Sequence, residues 1–164
     1  MENESNIVTL TYVLSNDKRK VLMLYHNANS GDISYGKYNG YSEFIRRDES
    51  TVESIHRIVL DRTGLVIRDA RFRGSIHWPN FRQRQYQQFG QVFVVDRYEG
   101  IPQEYNELGQ NRWITITELL RGDFPVWDGD RYFLPLVFDK DPRPFHGYMP
   151  YEKGTPREWI YQRI

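Results

Sequence analysis

Apolar and polar positions alternate along the chain in segments of two kinds. Residues 7–14 (IVTLTYVL) and 21–25 (VLMLY) are apolar runs rich in β-branched residues, and the cluster Ser15-Asn16-Asp17-Lys18 between them predicts a hairpin. Residues 71–78 and 85–98 read as two longer strands around a turn at Pro79-Asn80, with residues 65–67 leading in and 113–116 as a further short strand. Residues 50–62 differ. Ser50 and Glu53 form a capping box, Gly64 stands where a glycine ends a helix, and Val52, Ile55 and Val59 recur at helical spacing. A helix is predicted there with those three residues in the core. Thr117 is expected to cap a brief helix through Leu120, and Asp128 or Gly129 to open a last helix that reaches Phe138. Residues 145–148 read as extended, and the polar tail from Pro150 is expected to be loosely attached. The order predicts an α/β (α+β) fold in which a mixed β-sheet is sandwiched between helices.

Composition narrows the classes of function. The length of 164 residues predicts one domain, residues 1–164, with its core over about 7–148 and a tail over 149–164. Lys and Arg number 22 and Asp and Glu 22, so strong nucleic-acid binding is not expected. With no Cys, disulfides, thiolate metal sites and a Cys nucleophile are excluded. No apolar run approaches the roughly 18 residues of a membrane helix. The start Met1-Glu2-Asn3-Glu4-Ser5-Asn6 is polar and acidic, unlike a signal peptide, and a cytoplasmic protein with no membrane partner is expected. Four Trp, twelve Tyr and nine Phe are enough to build a core and also line a pocket. The basic residues concentrate locally at Arg68, Arg71, Arg73, Arg82 and Arg84. They either decorate strand edges or steer an anionic ligand.

The segment 36–65 resembles the Nudix (MutT-like) box, G-x5-E-x7-R-E-U-x-E-E-x-G-U with U aliphatic. Glu49, Arg57, Val59, Gly64 and Leu65 match it, whereas Glu43 stands at the opening glycine and Ile58, Asp61 and Arg62 at the three helical glutamates. In that family the carboxylates bind Mg²⁺ or Mn²⁺, hard cations that take oxygen ligands. The spacing of positions 58, 61 and 62 puts them on one helix face. Only Asp61 is anionic there, so the resemblance implies a weak or absent metal site, with Mg or Mn as cofactor only if activity survives. Glu49, Arg57 and Asp61 are the candidate catalytic residues and Asp61 and Glu107 the candidate metal ligands, with Asp48, Glu53 and Glu104 further carboxylates in reach. Restoring the box would take Ile58→Glu with Arg62→Glu. Arg62 itself is either a surface charge or a guanidinium that binds phosphate where relatives use a metal. The four His residues (26, 56, 77 and 146) are scattered and read as structural or surface residues.

A second resemblance is to the oxidised-purine nucleoside triphosphate hydrolases within that family. It rests on Lys37-Tyr38-Asn39-Gly40-Tyr41, on Val126-Trp127-Asp128-Gly129-Asp130-Arg131-Tyr132-Phe133-Leu134-Pro135-Leu136 and on Phe145-His146-Gly147-Tyr148, three landmarks in family order. It implies that Asn39 reads the base, Trp127 stacks on it, Asp130 accepts from a purine N–H and Trp78 lines the pocket wall. The first Asp of the family's pair is Gly129. Such relatives are often dimers, which makes a homodimer one expectation. Three functions stay open: a nucleotide-binding protein with a disabled metal site, a divergent hydrolase of nucleoside di- or triphosphate derivatives using Mg or Mn, or a scaffold whose pocket is vestigial.

Overall fold

The computed structural model describes residues 5–164, so most of the polar amino-terminal stretch lies outside the described residues. In chain order the elements are β1 (Ile7–Leu14), β2 (Lys20–His26), β3 (Tyr38–Asn39), β4 (Tyr41–Phe44), α1 (Thr51–Thr63), β5 (Val66–Pro79), β6 (Gln87–Glu99), β7 (Tyr105–Asn106), β8 (Gly109–Thr115), α2 (Ile116–Arg121), α3 (Asp130–Phe138), β9 (Phe145–Tyr148), β10 (Tyr151–Glu152), β11 (Thr155–Pro156) and β12 (Ile160–Arg163). Among the described residues ten strands join one mixed sheet in the order β12-β9-β5-β6-β1-β2-β8-β7, with β3 beside β2 and β4 beside β1. The parallel contacts are β1 with β6 and β5 with β9.

Alternation along β1 divides the core in two. Val8, Leu10, Tyr12 and Leu14 pack with Leu119 of α2 and Phe133, Leu134 and Val137 of α3. Val13 faces the other way, toward Ile55, Ile58 and Val59 of α1. The sheet is thus covered by α1 on one face and by α2 and α3 on the other, as the chain order predicts. No helix among the described residues is long and apolar enough to cross a membrane.

Helix α1 begins and ends on local signals. The Ser50 side chain accepts from the Glu53 amide at 3.1 Å, Glu53 accepts from the Ser50 amide at 2.7 Å, and Gly64 closes the helix at φ 80°. Its core face departs from expectation. Ile55, Ile58 and Val59 are buried, whereas Val52 is 57% exposed. Val52 lies in the first turn, ahead of the stretch that meets the sheet. Ile58, expected beside Asp61 on a ligand-facing surface, points into the core.

The tail is a firm part of the fold. Strand β12 pairs antiparallel with β9, Trp159 packs against Phe133 and Phe145, and Met149 and Tyr151 are buried in the core. Arg163 donates to the Arg143 carbonyl at 2.8 Å and pairs with Asp139 at 2.6 Å. These anchors are single residues spaced by polar ones, so no apolar run marks them in the sequence.

Candidate functional site

A cavity of about 220 Å³ opens between the β1–β4 part of the sheet and the segment that precedes α3. Asn39, Trp78, Trp127, Asp130 and Arg62 all line it, together with His26 and Tyr151. Residues from five parts of the chain meet there for identifiable reasons. Asn39 pairs across from Leu24 of β2, and the Tyr38 amide donates to the Pro125 carbonyl at 2.8 Å, which draws the segment carrying Trp127 alongside β3. The Asp130 amide donates to the Trp127 carbonyl at 3.0 Å and starts α3. Trp78, near the end of β5, is held edge-on to Phe133 with centroids 6.5 Å apart.

The Asn39 amide is tightly oriented. With the amide turned so that its oxygen faces the ring N–H donors, the oxygen accepts from Trp127 Nε1 and from His26 Nε2, each at 3.3 Å, and the nitrogen donates to the Tyr38 carbonyl at 3.1 Å. One amide N–H then remains for a ligand. Donation from Nε2 leaves His26 Nδ1 as an acceptor, and this atom is buried without a partner. Burial lowers the His26 pKa, with Asp32 opposing and Arg62 adding to the effect, so the imidazole is neutral at pH 7. The Lys37 ammonium stands over the Trp127 ring, 4.8 Å from its centroid, and does not line the cavity. Trp127 itself lines the cavity.

Asp130 is the carboxyl that lines the cavity. Burial pushes its carboxyl up to about 7, against the opposing charge of Arg131. Such a group switches between acceptor and donor near neutral pH. Burial raises the hydroxyl pKa values of Tyr12 and Tyr151, and the Asp130 charge adds to the effect. Gly129 stands where the related hydrolases carry a second carboxylate, and a Cβ there would meet the Tyr151 hydroxyl at 2.6 Å and Met149 Sδ at 2.7 Å. The room for a side chain at position 129 is therefore filled from the tail, and Tyr151 lines the cavity beside Asp130. Sequence reasoning missed Tyr151 because nothing local ties the tail to a site twenty residues earlier in the chain.

The α1 side of the cavity is built from paired charges. Arg57 donates to Glu49 through Nε at 2.9 Å and Nη2 at 2.7 Å, and to Glu43 through Nη1 at 3.0 Å. Arg62 donates to the other oxygen of Glu43 at 2.9 Å and approaches Glu107 at 3.9 Å. Glu43 thus bridges two guanidiniums. The Arg57 contacts hold the Glu49 carboxyl down at about 2. The α1 carboxy-terminus is pinned as well, since the Arg62 carbonyl accepts from Asn106 and Asn111 at 3.1 and 3.0 Å. The sequence did carry a signal for Glu43, in that the box lost its glycine at 43 and gained a cation at 62 together.

The expected metal ligands are not assembled. Asp61 is exposed and does not line the cavity, and the Glu107 side chain is 92% exposed and faces Arg62. Glu53 is engaged in the helix cap, and Glu49, the candidate catalytic carboxylate, is engaged by Arg57. No group of three or more His, Asp or Glu side chains among the described residues is placed to hold a metal ion. A divalent cation needs several free oxygen ligands, and here the Arg57 and Arg62 guanidiniums already engage Glu43 and Glu49. These residues do not fit the group.

The basic stretch divides three ways. Arg68 and Arg71 pair across the β5–β6 edge with Glu99 and Asp96. Arg73, expected at a strand edge or steering a ligand, is 1% exposed and donates to the Val137 and Leu136 carbonyls at 2.9 and 3.1 Å, closing the end of α3. Arg82 and Arg84 lie in the hairpin beyond Trp78.

No family model matches the chain. The oxidized purine nucleoside triphosphate hydrolase of Danio rerio is 25% identical over 117 residues, 71% of each chain. The crystal structure of a mutator MutT protein from Bacillus halodurans superposes with a TM-score of 0.81 at 18% identity, covering 95% of this chain and 97% of that one. The NUDIX domain of Shewanella oneidensis NrtR, solved in complex with ADP ribose, gives 0.62 at 16% identity, with 83% and 86% covered. The architecture is the Nudix fold. The ordered sequence landmarks lie within this fold, and the sequence is similar to that of the oxidized purine nucleoside triphosphate hydrolase.

Proposed function

We propose that the protein binds a purine nucleotide, or a nucleotide-like diphosphate, in the cavity of Asn39, Trp78, Trp127 and Asp130, and that metal-dependent hydrolysis is absent or very weak. The observation that carries this reading is one cavity that combines an indole, an amide and a carboxyl titrating near pH 7, next to a helix whose arginines are already paired with Glu43 and Glu49. A purine ring between Trp127 and Trp78 gains stacking of about 1–3 kcal/mol. Its edge meets the remaining Asn39 N–H and the Asp130 carboxyl, which accepts a proton-bearing nitrogen when ionised and donates when protonated. Support also comes from relatives: one is named for oxidized purine nucleoside triphosphates and another was solved with ADP ribose.

The test is a thermal-shift panel of purine nucleosides, nucleotides and ADP ribose, run in EDTA and again with Mg²⁺ or Mn²⁺, with product analysis alongside. A purine nucleotide is expected to raise the melting temperature in EDTA by mass action, without product. Turnover on the order of 1 s⁻¹, within the ordinary enzyme range, would establish a divergent hydrolase instead. No stabilisation by any member would remove the nucleotide reading.

A further inference from the structure

A second, wider cleft of about 760 Å³ adjoins the base cavity, and Arg82 and Tyr151 line both. Phe81 forms the divide: it lines the base cavity, packs 5.9 Å from Trp78 and 5.0 Å from Tyr151, and carries the Arg82 guanidinium 5.8 Å from its ring. The wider cleft runs between the β5–β6 hairpin and the β10–β11 turn. Its charged lining is Arg82, Arg84, Lys153 and Arg157 against Glu152 and Glu158. Arg157 pairs with Glu152 at 3.1 Å, while Arg82, Arg84 and Lys153 have no carboxylate within 4.0 Å among the described residues. The opposite end of the base cavity has the reverse balance, because Arg62 is already paired with Glu43 and approached by Glu107.

We infer that the ligand's phosphates leave the base cavity toward this cleft and are held by Arg82, Arg84 and Lys153, not by the α1 helix. The inference rests on the nucleotide reading above and adds the direction of the anionic arm. A phosphate placed at Arg62 must compete with Glu43, whereas one placed in the cleft meets three cations that no carboxylate among the described residues engages, with Glu158 as the one unengaged anion of the lining. An arm with two or more phosphates fits best, since the three cations lie on two separate turns. The cleft is open, so its contribution falls as salt rises.

Titration calorimetry in EDTA at low salt tests this with guanosine, GMP and GTP and the corresponding 8-oxoguanine series, on the parent, Arg84→Glu/Lys153→Glu and Arg62→Ala. The exposed control Arg68→Glu/Arg97→Glu, away from both cavities, changes the net charge by the same amount and reports its effect alone. Affinity of the parent is expected to rise roughly tenfold or more from nucleoside to triphosphate, the range of charge-assisted hydrogen bonds. The cleft variant should lose that gain while binding the nucleoside as the parent does, and the control should keep it. A gain that survives in the cleft variant and vanishes in Arg62→Ala would place the phosphates on α1 and overturn the inference. A nucleoside that binds as tightly as its triphosphate would also overturn it and leave the base-binding reading standing. If neither binds in either series, both fall.

Discussion

Arginines sit at both ends of the base cavity, and the two ends use them in opposite ways. At the α1 end, Arg57 and Arg62 share Glu43, with Glu49 and Glu107 beside them, so the cluster is closed on itself. At the hairpin end, Arg82 and Arg84 join Lys153 in an open cleft where the Glu152 carboxylate is already taken by Arg157. What separates a braced arginine from an open one here is the carboxylate that reaches it first. In relatives of this fold the α1 end is where metal-binding carboxylates are expected, and this chain has turned that end into a brace.

The comparison can be broken most severely by putting the family carboxylate back. Ile58 is fully buried, so Ile58→Glu places an ionisable group in the α1 core and should destabilise the protein by about 3–5 kcal/mol. Denaturant unfolding measures this. A variant that keeps parental stability and gains Mn²⁺ binding would show that the brace can revert to a metal site.

The next effect concerns the floor of the cavity. The folded state holds the Asp130 proton up to about pH 7, while the unfolded chain releases it near the ordinary carboxylate value of about 3.9. Between those values the native state binds more protons, so stability falls as pH rises and the penalty is complete above about 7. Asp130→Asn removes it. Stabilisation on the order of 1–4 kcal/mol is expected at pH 8, shrinking toward zero near pH 4, and melting temperatures across that range read it out. A pH-independent difference would mean that Asp130 is ionised throughout.

Trp127→Ala should weaken purine nucleotide binding by about 1–3 kcal/mol through lost stacking, measurable by calorimetry, with nucleoside and nucleotide affected alike. Equal affinity in the variant would return Trp127 to a packing role.

Glu43→Gln removes the carboxylate that bridges the two guanidiniums, leaving Arg57 on Glu49, and should lower stability by about 1–2 kcal/mol. It also makes the α1 end more positive, so inorganic pyrophosphate, which should not bind there in the parent, should gain affinity for the variant. The smallest effect is expected from Arg62→Ala, at most about 1 kcal/mol in nucleotide affinity, as for other exposed or already paired charges. A larger loss would restore Arg62 as the phosphate ligand.

Much of this protein was decided by residues within a few positions of one another. The capping box at Ser50 and Glu53, the stop at Gly64, the first hairpin and the opening of α3 at Gly129 are local, because each needs only neighbouring backbone groups. The side chains expected around a base, Asn39, Trp78, Trp127 and Asp130, were readable from ordered motifs, and their meeting on one cavity came from β2–β3 pairing and the Tyr38–Pro125 hydrogen bond. Tertiary structure alone decided the charges. Arg57 reaches Glu43 across fourteen residues and Arg62 reaches it across nineteen, Arg73 finds the end of α3, and Tyr151 fills the space beside Gly129. A long charged side chain has no periodicity and a long reach, so its partner is set by which strands the fold brings beside it. The same formal charge became a brace at position 62 and remained open at position 84.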